Sequence, residues 1–439
     1  MLNKKKFHKK SIDIVFIIQR LDILGNKDID HYLPFLYFLT KNKQFNCTAK
    51  GLVFDRKENF LKKIDPRIRL LLKLKNVDLE FLEEGYFFNL IKQFKIIVLK
   101  NNFIFTKVLN KILFKFEKLF SSKIDLRNKL GDRFVQSKNP LIFTLLPSKN
   151  LKIISEIKKI NKKALSVELT HGTLVCVNKM VIDTHMDKYE KTKKDKIYDQ
   201  IDYFIKTNTI EIEDAIKEGM NKDKGIAIGF PRYCEEWLKI KDNLKLDGRN
   251  IRVGKKNKIK ILFFTPKQNV NIFWEELLRT IDFISSYEEF ELILVNYNNY
   301  FPKIPVFIKK RSNFKSYFIG EKYSSSKLID WADIIFHVGT DITFESFMKE
   351  KITVLPKYLT CNTLASSKYN AGYNLANRDE LRNFCNKASK SITILKKDYK
   401  RDCSKNNKKF INHFVYNNSK SIPNNINQAL LTICKLFKN

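Results

Sequence analysis

The sequence predicts an α/β protein built from two Rossmann-like domains facing a cleft. Three observations lead there. Short apolar runs alternate with helical patterns along most of the chain, as in parallel sheets covered on both faces. The 439 residues are enough for two or three domains. A charged, apolar-poor stretch from Lys239 to Lys258 divides the alternation into two series.

In the first series, Ile12–Ile18 and Gly51–Phe54 read as strands, with a helix over Tyr32–Leu39 between them. Leu141–Leu146 reads as a strand, Leu151–Ile160 as a helix and Ala164–Leu169 as a strand. Ile201–Ile205 and Gly225–Ile228 follow as strands flanking a helix at Glu211–Glu218. The second series opens with strand Lys260–Thr265, helix Ile272–Ile284 and strand Phe290–Val295. Strand Tyr317–Ile319, helix Ser325–Trp331, strand Asp333–Val338, helix Thr343–Lys349 and strand Ile352–Leu355 come next. Asp379–Ala388 and Asn425–Phe437 read as helices. The expected division is an N-terminal domain over 1–240, a linker over 241–257 and a C-terminal domain over 258–439.

Composition narrows the class of function. Hydrophobic residues make up 44% of the chain, which excludes a disordered or collagen-like protein. With 13 Gly and 10 Pro, an architecture of many small hairpins is disfavoured. The formal net charge of +36 attracts polyanions, whether nucleic acid, anionic lipid or phosphate-bearing substrates. The same excess also follows from a general richness in Lys, Asn, Ile and Phe. Seven dispersed cysteines without a CxxC pair argue against a disulfide framework or zinc site and fit a reducing compartment. No stretch reaches the length of a membrane span. The lysines before Ile12–Ile18 resemble the start of a signal peptide, but Asp13 interrupts the apolar run and no small-residue cleavage site follows.

Ligands of open α/β sheets sit beyond the carboxyl ends of strands, so residues just after strands are the candidates. His171, Gly172 and Thr173 follow one apolar strand. There an imidazole can exchange protons near neutral pH, and a glycine admits a ligand close to the backbone. The bland alternative is a turn with an incidental histidine. Gly229-Phe230-Pro231-Arg232 follows another strand, and Arg232 suits a phosphate or is an ordinary surface arginine. After Asp333–Val338 come Gly339, Thr340 and Asp341, then a helix bearing Thr343 and Glu345. Thr340 or Asp341 is the expected N-cap, and unpaired amides with the helix dipole would suit a diphosphate. Glu345, one turn in, would accept hydrogen bonds from ribose hydroxyls; a capped helix with a solvated glutamate is the alternative. Lys267, in the loop after Lys260–Thr265, is either a phosphate partner or a solvated lysine.

Phe103–Phe120 places Lys107, Lys111, Lys115 and Lys118 opposite an apolar helical face. Such a helix lies on an anionic membrane or packs into the first domain's core. The sequence contains no Walker loop, GxGxxG after the first strand, GxSxG elbow, HExxH or DxD-type pair after a strand. Hydride transfer, P-loop ATPase, zinc hydrolase and metal-dependent sugar transfer all lose weight.

Taken together, His171-Gly172-Thr173, Gly229-Phe230-Pro231-Arg232 and the segment Asp333 to Glu345 resemble the GT-B enzymes of bacterial surface-polymer synthesis. The resemblance is to the CDP-glycerol glycerophosphotransferase and capsular-polysaccharide transferase group within that superfamily. It covers about residues 140–360. The chain departs from the group at Thr170, where an aromatic residue precedes the histidine, and at His337-Val338-Gly339-Thr340, which stands in place of Asp-Tyr-Ser-Ser.

The resemblance implies a nucleotide-activated donor held mainly by the C-terminal domain and a glycan or lipid-linked acceptor held by the N-terminal one. It implies His171 as base or charge stabiliser, with Arg232, Lys267 and the amides after Gly339 neutralising the leaving diphosphate without a metal or separate cofactor. Such an enzyme works in the cytoplasm or on the inner face of the membrane, with no specific nucleic-acid partner. A nucleotide-sugar 2-epimerase of the same fold competes, needing acid–base carboxylates for which Asp13, Asp22 and Asp55 are available. A non-enzymatic polyanion binder is the third reading.

Overall fold

Ile12–Ile18 is the heart of strand β1 (Lys10–Ile18), which is buried on both faces as a central parallel strand requires. The computed structural model describes residues 10–18, 27–42, 44–54, 66–82, 126–145, 147–170, 172, 197–247, 251, 257–265, 272–296, 303–318, 323–435 and 437. Around β1 runs a seven-stranded sheet in the order β3-β2-β1-β4-β5-β6-β7. Its other members are β2 (Phe45–Val53), β3 (Val77–Phe81), β4 (Pro140–Thr144), β5 (Leu165–Leu169), β6 (Tyr203–Lys206) and β7 (Gly225–Ala227). A six-stranded sheet has the order β10-β9-β8-β11-β12-β13. It comprises β8 (Ile259–Phe264), β9 (Phe290–Asn296), β10 (Phe314–Phe318), β11 (Ile334–His337), β12 (Ile352–Pro356) and β13 (Tyr373–Leu375).

Every register seen between these strands is parallel. Each sheet starts near its middle, winds outward one way, then returns to wind the other. That is the Rossmann order, with its reversal between β1 and β4 in one sheet and between β8 and β11 in the other. The α/β class with two Rossmann-like sheets therefore stands as expected.

Helices fill the crossovers. In the first series they are α1 (Lys27–Lys41), α2 (Pro66–Lys73), α3 (Leu126–Leu130), α4 (Asp132–Val135), α5 (Pro147–Ile160), α6 (Thr209–Lys217) and α7 (Glu235–Asn243). The second series has α8 (Trp274–Ser285), α9 (Val306–Lys309), α10 (Ser325–Trp331), α11 (Thr343–Met348) and α12 (Ala365–Lys368). It closes with α13 (Arg378–Lys390), α14 (Ile392–Phe414) and α15 (Ile422–Lys435). The chain divides into two compact units, Met1–Glu168 with Ile433–Asn439, and Leu169–Thr432.

Local chemistry explains the elements. In the first sheet, Gly51 of β2 faces Phe16 and Leu79, and a β-carbon there would collide with both side chains. The Tyr32 hydroxyl on α1 donates to the carbonyl oxygens of Ile17 and Phe143, tying the helix to β1 and β4. In the second sheet, Phe263 and Phe336 stack 5.6 Å apart across β8 and β11 within a core shared with α8 and α13.

Several expectations shift. β2 starts at Phe45 rather than Gly51, and β10 spans Phe314–Phe318 rather than Tyr317–Ile319. Helices α2, α3, α4, α7, α9, α12 and α14 and strands β3 and β13 have no counterpart among the elements expected from the sequence. Helix α7 continues into the 241–257 stretch, so Lys241 is helical and buried. Phe103–Phe120 lies outside the described residues.

Candidate functional site

Strand β5 delivers the chain to Thr170, whose hydroxyl donates to the Ile205 carbonyl of β6 at 2.7 Å. The residue standing where the resembled group has an aromatic thus ties two strands together. His171, Thr173 and Lys267 lie outside the described residues. Gly172 is described, and one feature of its surroundings matters. Among the described residues, a β-carbon built on it would meet only Asp341, whose Oδ2 would stand 3.7 Å away. The loop after β5 and the loop after β11 therefore come together within the second unit.

The β11 loop sits at the reversal point of the six-stranded sheet. Gly339 has φ +75°, a conformation open to glycine, and it turns the chain away from the strand end. Thr340 and Thr343 are buried, and the Thr343 hydroxyl donates to the Thr340 carbonyl at 2.6 Å. Asp341 keeps 9% of its surface exposed and makes no side-chain hydrogen bond among the described residues.

Helix α11 differs from the expected anion cradle. It spans only Thr343–Met348, and its cap is Ile342 with no side-chain bond rather than Thr340 or Asp341. The amides of Thr343, Phe344 and Glu345 already donate to the carbonyls of Thr340, Asp341 and Ile342. Amides for an anion would have to come from the loop, not from this first turn.

Glu345 is 1% exposed, and both its oxygens are engaged. Oε1 lies 2.9 Å from Lys241 Nζ and 3.0 Å from Lys349 Nζ, while Oε2 accepts from the Ser326 hydroxyl at 2.8 Å. Lys241 also donates to Ser326 Oγ at 2.6 Å and lies 3.2 Å from Asp247 Oδ2. Lys349 reaches Asp330 at 2.7 Å. Burial alone would raise the Glu345 pKa, but the charges of Lys241 and Lys349 more than offset it and hold the carboxyl well below its ordinary range. Sequence reasoning missed Lys241, Ser326, Lys349 and Asp247. Lys241 lies in a stretch whose composition reads as solvated connector, and no local pattern marks a lysine as buried.

The Gly229-Phe230-Pro231-Arg232 turn joins the same cluster. Gly229 has φ +89°, and the Phe230 amide donates to the Val415 carbonyl at 2.7 Å. Phe230 and Tyr233 each bring a ring to within 6.0 Å of Phe344, the neighbour of Glu345. The Arg232 guanidinium lies 5.2 Å from the centre of the Tyr233 ring, a cation–π distance.

At the end of β11, His337 is buried against Phe347, and its Nδ1 has no hydrogen-bond partner among the described residues. Burial pushes its pKa down to about 3, so the ring is neutral. Among the described residues no group of three or more His, Cys, Asp or Glu could hold a metal ion.

Three candidate segments thus converge: Gly172 on Asp341, Phe230 and Tyr233 on Phe344, and helix α7 on Glu345. The chain is similar to the Anabaena protein HepE, solved in complex with UDP and glucose, at 13% identity over 96% of this chain and 99% of that one, with a TM-score of 0.53. It is equally similar to the UDP-GlcNAc 2-epimerase of Neisseria meningitidis bound to UDP-GlcNAc, at 13% identity over 97% and 100% of the two chains, with a TM-score of 0.53. No protein-family model and no curated protein matches the chain. The likeness defines the fold: two Rossmann-like sheets of the GT-B type, as the motifs suggested.

Proposed function

We propose that the protein is a transferase that moves a sugar, or a sugar-like phosphate group, from a nucleotide-activated donor to a cell-surface polysaccharide or glycolipid acceptor without a metal. The observation that carries this reading is the approach of Gly172 to Asp341. Gly172, the sequence neighbour of His171, stands beside the loop that follows the sheet's reversal point, where open α/β sheets take their ligands, and this supports the reading.

Each residue then has a role. His171 acts as base, or stabilises charge developing on the transferred group. Arg232, Lys267 and the loop amides around Gly339 and Thr340 neutralise the departing diphosphate. Asp341, beside Gly172 and with no side-chain hydrogen bond among the described residues, accepts hydrogen bonds from ligand hydroxyls. Glu345, with three donors on its two oxygens, holds the loop rather than the ligand. The enzyme works on the cytoplasmic side, or at the inner face of the membrane that carries its acceptor.

The 2-epimerase reading shares the fold, but one of its candidate carboxylates is committed elsewhere. Asp13 lies inside β1, where Oδ1 accepts from Thr48 at 2.5 Å and Arg133 at 2.8 Å, and Oδ2 from Ser137 at 2.6 Å. Asp22 and Asp55 lie outside the described residues.

Calorimetric titration with UDP-, CDP- and GDP-linked sugars and CDP-glycerol tests the proposal, followed by product analysis. One nucleotide family should bind. His171→Ala should retain that binding and lose at least about 100-fold in turnover. Nucleotide released only when an acceptor is present supports transfer. A sugar that is altered while still attached to its nucleotide, without acceptor, replaces transfer with epimerisation. Failure to bind any nucleotide at millimolar concentration removes both and leaves the polyanion binder.

A further inference from the structure

Among the described residues, the two most exposed large hydrophobic side chains are neighbours: Val306 at 66% and Phe307 at 58%. Both belong to the single helical turn α9, between β9 and the edge strand β10. This is not a loose loop that happens to carry apolar residues. Ile304, just before the turn, and Ile308, within it, are buried in the sheet's core and fasten the turn from below. What they fasten points the other two outward.

The charge carried by the segment itself is of one sign. Lys303, Lys309 and Lys310 are exposed, and the segment 303–311 contains no acidic residue. Arg311 stands 5.9 Å from the Phe307 ring centre. Its guanidinium is already held by Asp282 at 2.6 Å, by the Asp282 carbonyl and by Ser285. Arg311 therefore braces Phe307 and neutralises the nearby carboxylate, leaving three lysines around an apolar pair.

We propose that this corner docks the protein on an anionic lipid bilayer. Phe307 and Val306 enter the boundary between headgroups and acyl chains while the lysines meet lipid phosphates. Interfacial binding scales with the apolar area buried plus the electrostatic attraction to anionic lipid, and both contributions are present here. The chain's +36 charge favours the encounter. The inference does not depend on the catalytic reading.

The test is sedimentation of the full chain with phosphatidylcholine vesicles, with and without phosphatidylglycerol. The protein should pellet only with the anionic vesicles, and less as salt rises. A Val306→Ser/Phe307→Ser double variant and a Lys303→Gln/Lys309→Gln/Lys310→Gln triple variant should each partition about tenfold more weakly. Ile394→Ser, at another exposed hydrophobic position, should behave as wild type. All these positions are exposed, and unchanged circular dichroism and melting temperature would show that the variants are folded. A Phe307→Trp variant should be quenched by brominated lipid. Undiminished binding of the serine double variant, or an unquenched Trp, would overturn the proposal in favour of attachment by overall charge. A lipid-free dimer that dissociates in the serine variant would overturn it in favour of a second copy of the chain.

Discussion

Lys241 and Glu345 form a buried ion pair at 2.9 Å, joining the helix after the Gly-Phe-Pro-Arg turn to the helix after β11. Neither charge stands alone, because Ser326 bridges them by contacting the Lys241 ammonium and the far oxygen of Glu345. The position expected to meet a ribose is thereby the keystone of a polar network inside the second unit.

Removing one partner should cost more than removing both. Lys241→Met leaves a buried carboxylate with one lysine instead of two, and should destabilise the fold by about 3–5 kcal/mol in urea denaturation. Lys241→Met/Glu345→Gln removes the uncompensated charge and should recover much of the loss. Additive losses from the two single changes would show that the pair does not act as a unit.

Gly172 and Gly229 should respond in opposite ways. At Gly172 a methyl group would sit at ordinary contact distance from Asp341, so Gly172→Ala should change stability by no more than about 0.5 kcal/mol. Gly172→Leu should bind the nucleotide donor at least about tenfold more weakly, because its side chain would crowd Asp341. Equal affinity in calorimetry would move the ligand elsewhere.

Gly229 combines φ +89° with contacts that leave no room, since a β-carbon would collide with Ile422 and the Val415 carbonyl. Gly229→Ala should cost about 2–4 kcal/mol in chemical denaturation, from left-handed strain plus overpacking. A loss below about 1 kcal/mol would show that the 415–422 segment can move aside.

His337 sets a pH dependence. Its folded pKa is about 3 against an ordinary 6.5, so between those values the unfolded chain holds the proton and the folded chain does not. Stability is fully present above the ordinary value and falls as pH drops toward the folded one, by up to about 1.4 kcal/mol per pH unit. His337→Gln should therefore lose less stability than wild type between about pH 7 and about pH 4, measured by urea midpoints. Identical losses would mean that His337 does not drive the acid sensitivity.

The strands were legible where both faces are buried. Ile12–Ile18 and Phe290–Val295 are apolar runs broken only by one carboxylate each, Asp13 and Glu291, and each marks an interior strand to within about two residues. Legibility fell where polar residues alternate. The first half of β2, Phe45-Asn-Cys-Thr-Ala-Lys, alternates buried and more exposed positions and was passed over for its apolar end. Helix α14 was missed for a related reason. Leu395, Tyr399, Cys403, Asn407, Phe410 and Phe414 form a buried stripe at helical spacing, but Cys and Asn interrupt it and lysines crowd the other faces. The site was legible as three segments, because a glycine or histidine after a strand is a local pattern. Their grouping was not, since the partners of Glu345 come from Lys241, Ser326 and Lys349, and no local spacing connects a lysine on one helix to a glutamate a hundred residues away.

The all-parallel pairing also sets how this chain can reach its native state. No two parallel neighbours can be joined by a tight hairpin, so every ladder waits for a crossover to close. β1 is flanked by β4, and Asp13 must find Pro140 before that ladder exists. Loop closure of that length precedes any reward from pairing, which puts the chain among slow, intermediate-forming folders. During that interval Ile14–Ile18 is an exposed apolar template with unpaired amides on both sides, and dilution or a chaperone that shields this run should raise the refolded yield more than any change at the finished surface.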